Sequence, residues 1–591
     1  MDTDDLGQKL YKRAEKMQEK RRYIFDVAWQ QISQYFLPDL SDINTTKTEG
    51  VTGWFDRIYD SAPIRAAATC SIGVRNWVTP ATEQWLNLAV PNNLVKLPQV
   101  GSGRMKRLMP QASEEVDDQG RDEATRWCDD TAEQMSTDLS ASNFYSCVQP
   151  FNRGACVFGT ALMFCEEGKD QLFRFEQFKV GTFAIAENDQ KLIDTVFRWY
   201  KLTVRQAVQR FCMKDDTGMP DLSSMPKKIA ECYQKERYDE MFEFLHCVYP
   251  NTDFRAGALG PKGMPVSSYT LSCEEKKIVQ EGGYEEMPYF CLRWSRWGTD
   301  DQPYGCSPAF ECLPEARQLN YVIQNWDALV ELKAFPRLLY PDNLDGNIQL
   351  AAGSVTVYAA DKPNAKPEEW MTQGSEMSLE EMVNRKQKAI DEAFFVDIFK
   401  MFDQLEGKQQ RTAYEIAQRI GEKLDKFTGT FDQYVTELIN PLVRRLLGIS
   451  LRAGRLVQAP PSLMVQNDPK GQPELALPKV VVNSRVTLAL KSLQNAGLQR
   501  TLETWGPLLP LRPDILDNLN VDVAFRRSGR NEAMSAKDFT PWDQLVKLRQ
   551  QRAQDQAQEK AMALAEQGAK AAGHLGSAPP QMKSAMAAQM G

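Results

Sequence analysis

Between Met377 and Leu447 the sequence spells two long helices around a short segment with almost nothing to bury. Leu379 to Phe402 is amphipathic and carries Phe394, Phe395, Ile398 and Phe402. Gly407-Lys408-Gln409-Gln410-Arg411 follows, a polar, basic turn. Thr412-Ala413-Tyr414-Glu415 then has capping-box spacing: the Thr412 hydroxyl takes the backbone N–H three residues on, and Glu415 reaches back to the Thr412 N–H. Ile416, Ile420, Leu424 and Phe427 recur on one helical face. Gly429 interrupts the run, and Phe431, Val435, Leu438, Leu442 and Leu446 restart it. Pro441 lacks the N–H of an interior turn and clashes with the turn before it, which predicts a bend or an end there. The pattern predicts two long helices joined by a basic loop, the second one kinked.

Helices of that length need a large core, and 591 residues at 42% hydrophobic content can supply one. The length implies several domains or one elongated, segmented one. The longest apolar run, Ala155 to Cys165, is about half of the ~20 residues that cross a bilayer. Met1-Asp2-Thr3-Asp4-Asp5 is acidic where a signal peptide is basic, so the protein is expected to be cytosolic when made. Twelve cysteines lie between Cys70 and Cys312 with no C-x-x-C pair, and read as reduced, buried thiols. The formal charge is −8. A protein that grips nucleic acid by its phosphates is usually basic overall, so any DNA contact here is expected to be loose or local.

In chain order, Leu6 to Phe36 reads as one helix ended by Pro38, and Ile64 to Val78 as a second. Ser113 to Leu139 is an acidic helical region whose carboxylates (Glu114, Glu115, Asp117, Asp118, Asp129, Asp130) read as a solvated face. Gly154 to Leu162 is a helix running on into a strand, and Phe173, Phe175, Phe178, Val180 and Phe183 alternate as in a strand. Thr203–Cys212 and Met225–Met241 are expected to be helical; Phe242–Val248, Ser267–Cys273 and Pro288–Trp297 are expected strands. Ser307-Pro308 opens a helix, with Ser at the cap and Pro in the first turn. Short strands between Pro- and Gly-rich turns fill Arg337 to Trp370. After Leu447 come a Pro-rich linker region, a strand at Val480–Val482, helices at Arg485–Ala496 and Asp514–Leu519, and a polar helix from Pro541 to Gly568. Ala569 to Gly591 is Ala/Gln/Met low-complexity sequence, expected to be disordered.

Chemistry-bearing patterns are sparse. His246 and His574 are the two histidines, and His246 between Leu245 and Cys247 reads as a core or surface residue of a strand. No G-x-x-x-x-G-K-[ST] loop is present to cradle phosphates, and Gly101-Ser102-Gly103 lacks the third glycine of a dinucleotide turn. Glu274-Glu275-Lys276 has the E-x-K spacing of some nucleases without a strand-end Asp nearby to share a metal. These readings give no catalytic residue, no metal site and no cofactor.

Several stretches resemble bacteriophage portal proteins, above all the head-to-tail connectors of short-tailed, podovirus-type phages. They are Tyr59-Asp60-Ser61-x-Pro63 with its helix and the Thr79-Pro80, Trp85-Leu86 ending; Ser142-Asn143-Phe144 before Gly159-Thr160; Tyr304-Gly305-Cys306-Ser307-Pro308 before Leu319-Asn320; and Thr412-Ala413-Tyr414-Glu415-Ile416 before Glu437-Leu438-Ile439-Asn440-Pro441-Leu442. The resemblance spans roughly Tyr59 to Asp522. It implies an α+β, mainly α subunit that assembles as a ring, a homododecamer. The map it implies runs from an N-terminal wing (1–202) and a first stem region (203–241) to a β-rich clip (242–303) and a second stem helix (304–336). A wing β segment, tunnel loop and long kinked helix (337–450) come next, then a crown (451–540), a C-terminal barrel-like helix (541–568) and the disordered tail (569–591). It further implies a virion component at one capsid vertex, assembled in the bacterial host cytoplasm. Its partners would be double-stranded DNA in the channel, a terminase packaging motor, tail adaptors, and major capsid and scaffolding proteins, with no membrane. Lys408, Gln409, Gln410 and Arg411 then fall where the family places its tunnel loop. Thr412 and Glu415 cap the helix after it, and Gly429 and Pro441 mark the kink. The bland alternative for Arg411 is a surface ion pair with Glu406 or Glu415, worth about 0–1 kcal/mol. Two rival readings of the whole chain are another structural virion protein, such as an internal core or scaffold component, and an enzyme acting on nucleic acid.

Overall fold

The computed structural model describes residues 3–40, 43, 57–91, 118–168, 171–212, 220–222, 225–255, 257–297, 302–335, 337–339, 368–370, 376–405, 429–465, 474–482, 495, 497–498, 500–504, 519–531, 534 and 538–576. Helix and strand are mixed, and the chain divides into two compact units. The first comprises Met1–Leu86, Gln134–Leu456 and Val482–Ala496; the second comprises Asn87–Glu133, Val457–Val481 and Gly497–Gly591.

The expected first helix is interrupted. Helix α1 (Thr3–Arg21) passes through a π-turn, Arg22–Asp26, into α2 (Val27–Phe36). Arg21 and Asp26 form a buried bidentate pair at the turn, Nε to Oδ1 at 2.9 Å and Nη2 to Oδ2 at 3.1 Å, which apolar periodicity cannot announce. Helix α3 (Ala62–Val78) is followed by α4 (Asp118–Ala141), which covers the described part of the expected acidic helix; residues 113–117 lie outside the described residues. On α4, Glu123, Asp130 and Glu133 are exposed while Trp127, Ala132 and Met135 are buried. Helix α5 (Phe144–Phe158) ends at Gly159, whose φ of +73° is left-handed, and strand β1 (Thr160–Glu167) starts at once. Trp29 Nε1 donates to Phe158 O at 2.9 Å, tying α2 to the end of α5.

The predicted alternation from Phe173 to Phe183 is two strands, β2 (Phe173–Phe178) and β3 (Phe183–Glu187), in different sheets. Strands β4 (Ile193–Thr203), β5 (Met241–Pro250), β6 (Val266–Ser272) and β7 (Ile278–Tyr284) continue from β3 as a five-stranded antiparallel meander. Strand β8 (Tyr289–Arg293) pairs with β1, giving the three-stranded order β2-β1-β8. Alternation along β5 serves both faces of the meander. Leu245 and Cys247 join Leu10 and Ala14 of α1, whereas Phe242 and Phe244 join α6 (Val204–Phe211) and α7 (Lys227–Gln234). The second predicted helix there, Met225–Met241, is therefore short, because the chain must turn before β5. Strand β4 pairs with β5 from Val196↔Val248 to Thr203↔Met241, so one sheet crosses the boundaries expected at 202/203 and 241/242.

Helix α8 (Pro308–Ala334) starts with Pro in its first turn, as predicted. Ser307 does not cap it; its hydroxyl donates to Val157 O at 2.6 Å instead. Strands β9 (Arg337–Leu339) and β10 (Glu368–Trp370) pair antiparallel beyond α8. The single helix expected over Leu379–Phe402 is two, α9 (Glu376–Ala393) and α10 (Val396–Leu405), broken at Phe395 with φ +57°. The break lets Phe394 meet Phe36 at 5.5 Å and Phe399 meet Trp77 at 4.8 Å, centroid to centroid, burial that a straight helix would divide.

Residues 429–434 are helical, pass through a second π-turn at Val435–Ile439, and continue as α11 (Asn440–Arg452). In the second unit, α12 (Val521–Asn531) is tied to α13 (Trp542–Gly576) by Asp522 and Arg549, with both contacts at 2.7 Å. Helix α13 runs eight residues into the expected tail, where Ala569, Ala571 and Ala572 are strong helix formers. Among the described residues no helix is long and apolar enough to cross a membrane.

Candidate functional site

The motif residues, far apart in sequence, converge in the first unit. Gly159 and Gly305 face one another so closely that a Cβ on either would strike the other's backbone region. Gly305 N donates to Thr160 Oγ1 at 2.8 Å, and Trp294 N donates to Gly159 O at 2.9 Å. Glycine is needed at 159 twice over, for the left-handed turn and for this approach. Asn320 of α8 receives Tyr59 N on its Oδ1 at 2.8 Å and donates from Nδ2 to Arg57 O at 3.0 Å. Gln387 of α9 donates to Asp60 Oδ2 at 2.7 Å. The stretch opening with Tyr59-Asp60-Ser61 is thus a bracket for two helices.

Those helices run antiparallel. Lys333 at the end of α8 meets Glu376 at the start of α9 at 2.6 Å, while Asn320 and Gln387 share the bracket at the other end. Near the β9–β10 end the pair leaves Val330, Phe335, Met377 and Met382 exposed, and Tyr321 is exposed farther back along α8, beside the bracket. Phe335 is 78% exposed and Met377 72%, large apolar side chains left to solvent at the end of the pair.

The π-turn at Val435–Ile439 is built around Glu437, a side chain that the apolar spacing of its helix passes over. Arg293 ends the buried strand β8, and Glu437 Oε2 accepts from its backbone N at 2.8 Å while Oε1 accepts from its Nε at 2.8 Å. Arg293 Nη2 also reaches Glu437, its Nη1 pairs with Glu187, and Lys191 O accepts from Nη2 at 2.8 Å. Arg296 Nη2 adds a further contact to Glu437 at 3.1 Å. Burial by itself lowers the Arg293 pKa, but the Glu437 carboxylate outweighs it and the net shift is upward. Glu437 sits inside the π-turn, and Asn440 N donates to Val435 O across it.

The far end of α11 is held by a second ionic clasp. Arg445 Nη1 and Arg452 Nη1 both bond to Glu286, each at 2.8 Å, and Arg452 also reaches Glu285 at 2.8 Å and Glu167 at 3.2 Å. Gly448 lies between them on the same face, and a Cβ there would occupy the place of the Glu286 carboxylate.

Of the residues singled out from sequence, Lys408, Gln409, Gln410, Arg411, Thr412 and Glu415 lie outside the described residues. Gly429 is an exposed helical residue, and Pro441 is the second residue of α11 rather than its end. The π-turn lies just before the proline, an irregularity of the kind that accommodates a missing N–H. The sequence placed Glu437 in a motif stretch but gave neither its role nor Arg293 as its partner. Their one sequence signal is a lone arginine closing the apolar run Tyr289-Phe290-Cys291-Leu292.

His246 is buried, with Nδ1 at 2.7 Å from Tyr289 Oη and Nε2 at 2.9 Å from Ser268 Oγ. The serine–histidine contact resembles a nucleophile and its base. Burial first, and then the Arg210 and Arg198 guanidiniums, push the His246 pKa down to about 3, which makes it a poor proton acceptor. Among the described residues no group of three or more His, Cys, Asp or Glu is placed to hold a metal ion.

Comparison with known proteins bears on the whole chain. Residues 7–537 match the family described as bacteriophage head to tail connecting protein. The portal protein of Salmonella phage epsilon15 is 24% identical over 574 residues, covering 96% of this chain and 95% of its own length. A probable portal protein of Bordetella phage BPP-1 is 22% identical over 563 residues, covering 94% and 93%.

Proposed function

The chain belongs to the bacteriophage head-to-tail connecting protein family, the portal proteins, and from that premise we propose that its copies close into a ring, a dodecamer, at one capsid vertex. Double-stranded DNA passes through the ring during packaging and ejection. The packaging terminase and later the tail adaptors dock on it, and the capsid and scaffolding proteins assemble around it in the host cytoplasm. The observation that supports the ring is the exposure of Phe335 and Met377, large apolar side chains at the β9–β10 end of the α8–α9 pair. A contact that joins one face to a different face closes if its rotation divides a circle, and otherwise runs on as a filament.

The same pair favours a division of the subunit that differs from the sequence map. We assign the two stem elements to α8 and α9–α10, and the protruding clip to the segment that contains β9 and β10. The meander β3–β7 then belongs to the wing, since it shares a core with α1 and is continuous with β4. The tunnel loop keeps its place at Lys408–Arg411, between α10 and the helix that ends as α11.

Light scattering and negative-stain imaging of the purified chain test this reading. The expected result is a closed ring with cyclic symmetry, and Phe335→Glu with Met377→Glu should shift it toward smaller species. A stable, well-folded monomer of about 67 kDa at micromolar concentration sinks the portal reading. A ring that tolerates both substitutions sinks only the assignment of the stem face.

A further inference from the structure

A π-turn packs less favourably than the α-helix around it and persists where something outside the helix holds it. Two buried side chains hold the irregularity at Val435–Ile439, one just before it and one inside it. Tyr434, one residue before the turn, bonds its hydroxyl to Asn152 Oδ1 of α5 at 3.0 Å. Glu437, within the turn, is held by Arg293 and Arg296. Absorbing the turn into a regular α-helix rotates one flank against the other by about 100° and shifts it by about 1.5 Å. In that register Tyr434 and Glu437 cannot both keep their partners. The turn and the ionic cluster therefore stand or fall together, giving two discrete settings of one helix.

We propose that Arg293 and Glu437 are positioning residues: their pair holds the helix in its π register and so fixes the rotational setting of residues 429–434 relative to α11. The cluster is built for holding. The carboxylate accepts the Arg293 backbone N–H as well as the guanidinium, so it is tied to the end of β8 and not only to a side chain that can swing. Glu187, Lys191 O and Pro303 O take up the remaining guanidinium directions, which denies Arg293 another partner. On the portal reading above, and resting on it for this consequence alone, the setting matters because the chain bearing Lys408 and Arg411 leads into 429–434.

The register can be read without DNA, from cryo-EM maps of the full-length assembly. In the parent, Asn440 N donates to Val435 O. In Glu437→Gln, the expected result is that the π-turn is lost or moves along the helix, with Asn440 N donating to Thr436 O. Glu437→Asp, which keeps the charge, should restore the parental register. If Glu437→Gln does not fold, Arg293→Met with Glu437→Leu removes the two most buried charges, leaving Glu187 and Arg296 with access to solvent, and the same change of register is expected. A parental register in the variants overturns the proposal, whatever they do to DNA packaging. Failure of both to fold makes the pair a folding requirement and overturns the positioning role equally. A changed register with unaltered packaging leaves the proposal standing and counts against the channel reading instead.

Discussion

Arg293 shows what one residue in the wrong company can mean. It closes a strand of buried apolar residues, where a charge is tolerated only with partners, and two carboxylates and backbone carbonyls supply them. Removing one member leaves the others buried without compensation, so Arg293→Ala should lower unfolding stability by about 3–5 kcal/mol. Chemical denaturation of the assembled protein would measure it, and a change within the scatter of exposed substitutions refutes the structural role given to the cluster. His246 makes the opposite bargain, staying neutral in the core. Its pKa is about 3 in the folded chain against 6.5 ordinarily, so the unfolded chain takes up a proton that the folded chain refuses. Its contribution is therefore nil above about pH 6.5 and destabilising as pH falls from there toward 3. His246→Gln should flatten the loss of stability between pH 7 and pH 4, read as melting temperatures at the two values. Equal slopes in parent and variant would place the acid sensitivity elsewhere. Sequence alone put His246 in a strand but was silent on its titration, because Tyr289 and Ser268 approach it only through sheet pairing and packing.

Elements were legible where one period ran long and blurred where tertiary contacts override it. The helical faces after Ser307 and Phe431 were readable from apolar spacing, and the passage from helix to strand within Gly154–Leu162 from the sequence as well. Neither π-turn was readable, because each is set by a buried ion pair whose arginine lies outside the apolar pattern. The break at Phe395 is of the same kind: a left-handed phenylalanine is costly, by about 1–2 kcal/mol, and the contacts of Phe394 and Phe399 offset it. Strand pairing could not be had from periodicity, which gives faces but not neighbours. That is why a clip boundary was drawn through the middle of a five-stranded sheet. Gly448 offers a test at this scale. It reads as an indifferent glycine inside a helix, yet its missing side chain is the seat of Glu286 between Arg445 and Arg452. Gly448→Ala gains helix propensity but displaces that carboxylate. The expected outcome is a net loss of about 1–3 kcal/mol, with reduced protection from hydrogen exchange at the end of α11. A stabilised variant would mean that the clasp contributes little.

For the whole molecule, charge and symmetry set the expectations. The formal charge of −8 makes each subunit mildly repellent to DNA, and the proposed ring would multiply that repulsion around its bore. Translocation gains from it, because tight phosphate binding would stall the strand. Retention needs the opposite, a narrow band of positive charge at one height, and the sequence offers Lys408 and Arg411 in a polar turn. One arginine per subunit gives a circle of guanidinium groups, each able to pair with two phosphate oxygens where lysine acts as a point charge. Lysine at the same place should therefore preserve part of the effect, and alanine none of it. Arg411→Ala is expected to assemble rings of parental size, since the apolar face of α8 and α9 lies elsewhere in the sequence. Filled heads carrying it should lose DNA faster on dilution into high salt, with Arg411→Lys intermediate, scored by nuclease sensitivity over time. The surface-pair alternative, Arg411 with Glu406 or Glu415, predicts about 0–1 kcal/mol of stability and no effect on retention. Alanine particles that package and hold DNA as the parent does would leave that alternative in possession of the loop.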